Sequence, residues 1–404
     1  MPLLIMTGQT LPSPAFYLLL LCSLAVLVQY RGHPLHGFYQ KYRVTLLCLA
    51  APALAVLFSS MVNAKLAGPD LEAALRFLLG FWILGLAFTR INPAVLGKAL
   101  CGFMLAALVA SLIIIVLALA SPLRPDTPAY NAVGYGSLTG LLMALVAFSL
   151  PWRLSPWPRA ESMTKLVLVG LGLLAVILVQ TRTALLAFPI FIVVACLLYM
   201  KPHRRVRALV LAVGMAVLLS AVFAANGTWR QRVVDAYQEA VTCSGDQSTA
   251  DTSICIRLQL WRASLDMLAQ RPVAGMGSKR YFNDYLNQES LPAGVVSPSV
   301  AEGWGEPHND IMLALTSYGV PGGIALLLVF LGPAGLFLRR LAFHHPAQAR
   351  AAAAMGLSLT LGFLVFGLTE TMFRGMRTIG FYSMSLALFM ILSDPDRYAR
   401  SARP

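Results

Sequence analysis

Long apolar runs separated by short polar punctuation make up most of this chain. A helix crossing a membrane needs about 20 mostly apolar residues. Runs of that kind fall at about 14–30, 44–61, 71–89, 95–120, 131–150, 165–181, 183–200, 208–225, 320–338, 351–369 and 378–393, with 308–318 as a short candidate twelfth. A tight turn at 180–183 separates two of them. The pattern predicts an all-α polytopic membrane protein of 11–12 transmembrane helices. It divides into an N-terminal transmembrane bundle (1–225), a hydrophilic insertion (226–307) and C-terminal transmembrane helices (308–404). The first six runs carry few polar residues, which suits a bundle and its lipid-facing groove. No internal repeat is visible. The opening residues lack the basic stretch and small-residue cleavage site of a signal peptide, so no removable one is expected.

Composition agrees: 58% of residues are hydrophobic and 12% charged, with a mean hydropathy of +0.72, whereas soluble domains carry roughly a quarter charged residues. The net charge of +14 is distributed unevenly. Segments 31–43, 90–98, 153–165, 201–207, 339–350 and 397–403 should share one face, and they hold 18 of the 31 Lys and Arg. Even with Asp394 and Asp396 added, that face holds only 3 of the 17 acidic residues. The positive-inside rule makes it cytoplasmic. The basic excess is therefore a topology signal and an attraction to anionic lipid head groups, not a nucleic-acid surface. The insertion then lies outside. Cys22, Cys48, Cys101 and Cys196 fall in apolar runs, whereas Cys243 and Cys255 lie in the insertion. A disulfide between those two suits an oxidising compartment; two free thiols are the alternative.

Within the insertion, "TWRQRVVDAYQEAV" looks amphipathic, and "IRLQLWRASLDMLAQRP" places Ile256, Leu260, Ala263, Leu265 and Leu268 at roughly helical spacing. Pro272 and the Gly275/Gly277 pair should end that helix, leaving 275–307 loop-like. The glycine pair in "GMGSKRYF" lacks the strand and third glycine of a dinucleotide fingerprint, so it predicts a tight turn. No P-loop, metal-ligand spacing or HExxH occurs; no nucleotide, cofactor or protein-ligated metal is expected.

Three outward positions can carry chemistry. Arg182, in "LVQTRTALLAF", sits at the junction of two apolar runs, where a cation is costly and is usually paired or functional, or else snorkels to the interface. Arg257 shares a helix with Trp261 and Arg262; an ordinary solvated helix face is the alternative. His308 stands in "GEPHND". There Glu306 suits an N-cap and Pro307 the first helical position, which puts His308 in the first turn of a helix. A helix N-terminus favours a neutral imidazole and attracts an anion. A neutral His can serve as a general base, or simply as a hydrogen-bonded interface residue. Two arginines and an imidazole on one face suit a phosphate or diphosphate leaving group, with Arg in place of a metal ion.

The ordered succession "TRTALLAF", "IRLQLWRASLDMLAQRPVAGMGSKRYF" and "PHNDIMLALTSYGVPGG", over roughly 165–325, resembles the O-antigen ligase and polymerase superfamily of bacterial envelope enzymes. The resemblance implies a GT-C-type inverting glycosyltransferase of the inner membrane that takes glycan from undecaprenyl diphosphate on the periplasmic side. In the ligases the acceptor is a sugar hydroxyl of lipid A–core, and membrane lipids surround the enzyme. It further implies that Arg182 and Arg257 hold the diphosphate and His308 deprotonates the acceptor, with Asn309 in a supporting role. Glu306 and Asp310 would orient the imidazole or cap the helix. Arg374 and Arg377, in "TETMFRGMRTIG", would meet anionic groups of acceptor or carrier, or anchor helix ends; Lys65 and Arg124 read as interface anchors. A ligase is expected first, from the moderate loop and the absence of a further soluble domain after Arg403. A polymerase and a protein O-oligosaccharyltransferase share the donor chemistry. A non-catalytic lipid-glycan transporter would place polar groups deep within several helices, whereas here the ionisable groups sit at one rim.

Overall fold

A computed structural model describes residues 1–29, 35–120, 127–179, 181–199, 234, 237–239, 241, 243, 252–343 and 345–401, with the backbone alone at 182 and 399–401. The run 208–225, Arg124 and most of "TWRQRVVDAYQEAV" lie outside the described residues. No strand occurs among them. Seven helices are long and apolar enough to cross a membrane: Pro12–Gln29, Leu35–Val62, Gly68–Thr89, Pro93–Ala120, Pro158–Leu178, Asp310–Ala342 and Ala347–Gly367. Three shorter apolar helices accompany them, Ala132–Phe148, Thr183–Tyr199 and Met376–Leu392.

Helices from both halves of the sequence share one core. Phe81, Tyr135, Phe363, Phe381 and Tyr382 are fully or almost fully buried within it. The Phe373 ring lies 5.3 Å from Phe363, 5.4 Å from Phe330 and 5.0 Å from Phe77. Aromatic pairs at such separations add to the burial itself, and they pin the turn between the last two long helices.

The bundle has two chemically distinct ends. At one, Lys41 lies 2.6 Å from Asp394, Arg340 donates to Ser393 Oγ, Arg350 to the Leu197 carbonyl and Trp152 to the Gln348 carbonyl. These contacts join segments expected to be cytoplasmic. At the other end, Ser59 donates to the Ala274 carbonyl, Lys279 N–H to Asp70, and Arg377 lies over the Tyr130 ring. The basic segments and the candidate chemistry therefore occupy opposite ends.

Two expectations change. The short candidate span 308–318 is not separate: it continues into 320–338 as the single helix Asp310–Ala342, kinked at Tyr318 and Gly319. Pro321 has no N–H and its ring collides with the carbonyl four residues back, so Ser317 O is released from the helix. The Gly277 N–H takes it, the Met276 N–H takes Thr316 O, and Val320 N–H turns outward to Pro272 O. Three backbone hydrogen bonds thus stitch the 272–277 turn into the kink, and the glycine pair is a docking device. Gly275 (φ +63°) and Gly319 (φ +69°) face each other so closely that a Cβ on Gly275 would come within 2.5 Å of the Tyr318 nitrogen.

Second, 275–307 is more ordered than a loop. It contains short helices at Tyr281–Tyr285 and Pro298–Gly303 with a π-helical turn at Leu286–Ser290 between them. Phe282, Leu286, Val300 and Ala301 pack on Leu260, Ala263 and Met267 of the Ser253–Gln270 helix, forming a small core of their own. The hydrophobic positions are too widely spaced along 275–307 to show a helical period. Cys243 and Cys255 are paired as a disulfide, with Cα atoms 5.5 Å apart.

Gly319→Ala should lower the unfolding temperature of the purified protein in detergent by several degrees, since positive φ alone costs about 1–3 kcal/mol and the added Cβ meets the Val273 and Pro272 carbonyls. Unchanged melting would show that the stitched kink is not needed for stability.

Candidate active site

The site forms where the loop before Asp310–Ala342 meets the turn after Ala347–Gly367. Its helix start differs from the expected one. Asn309, not Glu306, is the N-cap, its Oδ1 accepting from the Ile311 and Met312 N–H groups, and the helix begins at Asp310. His308 therefore precedes the helix, with left-handed backbone at φ 48°, a conformation that costs a non-glycine residue free energy and that clusters at functional sites. The physical reason is that an Asn side chain satisfies two orphan N–H groups at once, while Pro307 is occupied otherwise: its carbonyl accepts the Trp261 indole N–H at 3.0 Å. Asn309 also donates to the Leu368 carbonyl at 3.0 Å, tying cap to turn.

The His308 imidazole is buried, 8% exposed. Its Nδ1 lies 3.0 Å from Glu370 Oε1 and 4.0 Å from Glu306 Oε1, and Trp304 stands edge-on with its ring centre 4.7 Å away. A carboxylate facing Nδ1 fixes the proton there, so Nε2 carries the lone pair. That atom is enclosed and has no hydrogen-bond partner among the described residues. Arg374 Nη1 lies 2.7 Å from Glu306 Oε2. Glu306, His308 and Glu370 also offer ligand atoms within 4.8 Å of one another, a spacing that a divalent cation can use. Arg374 already brings a positive charge to one of these carboxylates, Glu306.

Asp310 neither touches the imidazole nor acts as the cap. Its buried carboxylate accepts from the Met372 and Phe373 N–H groups at 3.1 and 2.9 Å, while Lys279 Nζ donates to the Phe373 carbonyl at 3.2 Å. Burial pushes the Lys279 ammonium below its ordinary pKa, opposed by the nearby Asp70 and Asp310 carboxylates. Together they hold the turn that presents Glu370.

A cavity of about 410 Å³ opens beside this turn, lined by Tyr130, Asn131, Glu306, Glu370, Arg374 and Arg377 among others. Arg377 lies 4.1 Å over the Tyr130 ring, a cation–π contact. Arg374 and Arg377 are thus wall residues of one cavity.

The two other arginine segments reach the same place through their neighbours. Arg182 opens the helix Arg182–Leu186, and the next residue, Thr183, accepts from Thr369 Oγ1 at 2.8 Å, one residue before Glu370. Arg257, half-buried, lies one turn before Trp261, which binds the Pro307 carbonyl one residue before His308. Sequence reasoning missed Glu370 and Trp261. For Glu370 the only available signal was an acidic residue at the outward end of an apolar run, four positions before Arg374.

Residues 166–327 match the family model described as O-Antigen ligase. That segment is thus similar to the O-antigen ligase family. The match includes Arg182, Arg257 and His308 and ends before Glu370. A comparison with curated proteins finds no match.

Asp310→Ala would orphan two buried N–H groups, each costing about 1–3 kcal/mol. The expected outcome is a lower unfolding temperature and faster hydrogen exchange at 371–374; unchanged exchange there would remove Asp310 from the support of the turn.

Proposed function

We propose that the protein is an O-antigen ligase, an inverting, metal-independent glycosyltransferase that moves glycan from undecaprenyl diphosphate to a sugar hydroxyl of lipid A–core at the periplasmic face of the inner membrane. The observation that carries this reading is the buried His308 Nδ1–Glu370 contact of 3.0 Å, which leaves Nε2 as the proton acceptor. The acceptor hydroxyl gives its proton to Nε2 while its oxygen attacks the anomeric carbon. The bond from that carbon to the diphosphate oxygen breaks, and the diphosphate leaves with the electron pair from the opposite face, inverting the centre. Glu370 stabilises the imidazolium as it forms, in the manner of an Asp behind a catalytic His. Arg182 and Arg257 hold the departing diphosphate by bidentate contacts. Because Nε2 is enclosed, the 303–308 loop must open for the hydroxyl to enter, as gated sites do.

In proteoliposomes with lipid-linked donor and lipid A–core, His308→Ala should lower transfer by about 10²–10⁴-fold, the range of general base catalysis, while the variant still folds and inserts; retained activity removes the base assignment. Arg182→Lys should also be strongly impaired, since a point charge cannot replace a planar fork. Transfer should survive EDTA; a loss that Mg²⁺ restores would assign the Glu306–His308–Glu370 group to a metal instead. In cells lacking the protein, lipid A–core without polymer supports the ligase, whereas core bearing one repeat unit supports a polymerase.

A further inference from the structure

A second cavity, of about 570 Å³, opens at the same end of the bundle, between the 63–70 loop and the insertion. The transfer chemistry above makes no use of it. Its lining is unlike the apolar interior. Lys65, Arg271 and Arg280 supply three cations, while Asp70, Asp284 and Glu289 face the same space. None of these six side chains forms an ion pair with another described residue. Arg271 donates to Asn63 Oδ1 at 2.5 Å, a neutral partner that fixes the direction of its guanidinium. Tyr281 stands at the wall, 40% exposed.

Unneutralised cations and carboxylates around one concavity of ligand size fit a molecule that carries both an anionic group and many hydroxyls. Guanidinium forks suit phosphate or carboxylate, carboxylates accept from hydroxyls, and a phenol ring offers a flat face to a sugar.

The cavity is also placed for it. Asp70 lines it, and Asp70 equally lines a narrow apolar cleft that Lys279, Asp310 and Phe373 share. Asp310 is two residues from His308 and Phe373 three from Glu370, so the cleft that adjoins the cavity is lined by near neighbours of the transfer site. Its floor is the 276–278 turn, which the stitched kink holds rigidly to the helix that starts beside His308.

We propose that this cavity binds an anionic saccharide, a phosphorylated or acidic sugar segment of a glycan substrate, with Arg271 and Arg280 holding its charge. The proposal rests on the glycosyltransferase reading above, and two substrates can supply such a segment, the acceptor core or the donor polymer. The test uses the full chain in lipid nanodiscs and isothermal titration with three probes: delipidated phosphorylated core oligosaccharide, the same oligosaccharide after phosphatase treatment, and polymer glycan released from its carrier. The double variant Arg271→Ala/Arg280→Ala changes exposed side chains and is expected to fold.

At least tenfold weaker binding of phosphorylated core to the double variant, matched by a similar loss on dephosphorylation, is expected and assigns the cavity to the acceptor. The same dependence with polymer glycan alone assigns it to the donor. Absence of saccharide binding, or binding that ignores the double variant, overturns the proposal. His308→Ala should bind like the unaltered protein; if it also retains transfer, the base assignment fails while the cavity stands.

Discussion

The exchange of backbone hydrogen bonds at the Tyr318–Gly319 kink governs the arrangement of the outer end. In a membrane-embedded helix a released carbonyl has no water to turn to and must find a partner within the protein. Pro321 and Gly319 together release Thr316 O and Ser317 O, and the 272–277 turn is the partner. That requirement fastens the insertion to the helix whose first turn follows His308. It adds to the Trp261–Pro307 hydrogen bond, which ties the Ser253–Gln270 helix to the residue before His308.

A second set of polar contacts, tertiary rather than local, builds on that base. Asp310 and Lys279 grip opposite sides of the Phe373 peptide, and the Phe373 ring is locked among Phe77, Phe330 and Phe363. The turn that carries Glu370 and Arg374 is therefore rigid at its centre, which suits a carboxylate that must face Nδ1 at 3.0 Å. Rigid support on the carboxylate side also restricts the orientation of the imidazole. The carboxylates on either side have different partners: Glu370 faces the imidazole, whereas Glu306 faces Arg374.

The end of the bundle opposite the Lys41–Asp394 contact thus offers two concavities. One holds Glu370, Arg374 and Arg377 and adjoins the arginine segments of the family match. The other is lined by polar groups of both signs.

The sequence by itself determined the membrane class, the places of the ten apolar helices among the described residues, seven of them long enough to span, and the separation of basic segments from candidate chemistry. These depend on hydropathy and charge, which are additive along the chain and need no partner. It also placed His308, Arg182 and Arg257 in one family's order. It misjudged the helix start, because Glu306–Pro307 and Asn309 both satisfy local capping rules, and only the tertiary contacts of Pro307 with Trp261 and Asn309 with Leu368 select between them. Glu370 was illegible for a sharper reason: it meets His308 across 62 residues, and a carboxylate at a helix end has no local signature of the imidazole it will face. The docking role of Gly275, Gly277 and Gly319 was likewise decided only by the tertiary structure, since a turn and a kink become one feature when their backbones exchange hydrogen bonds.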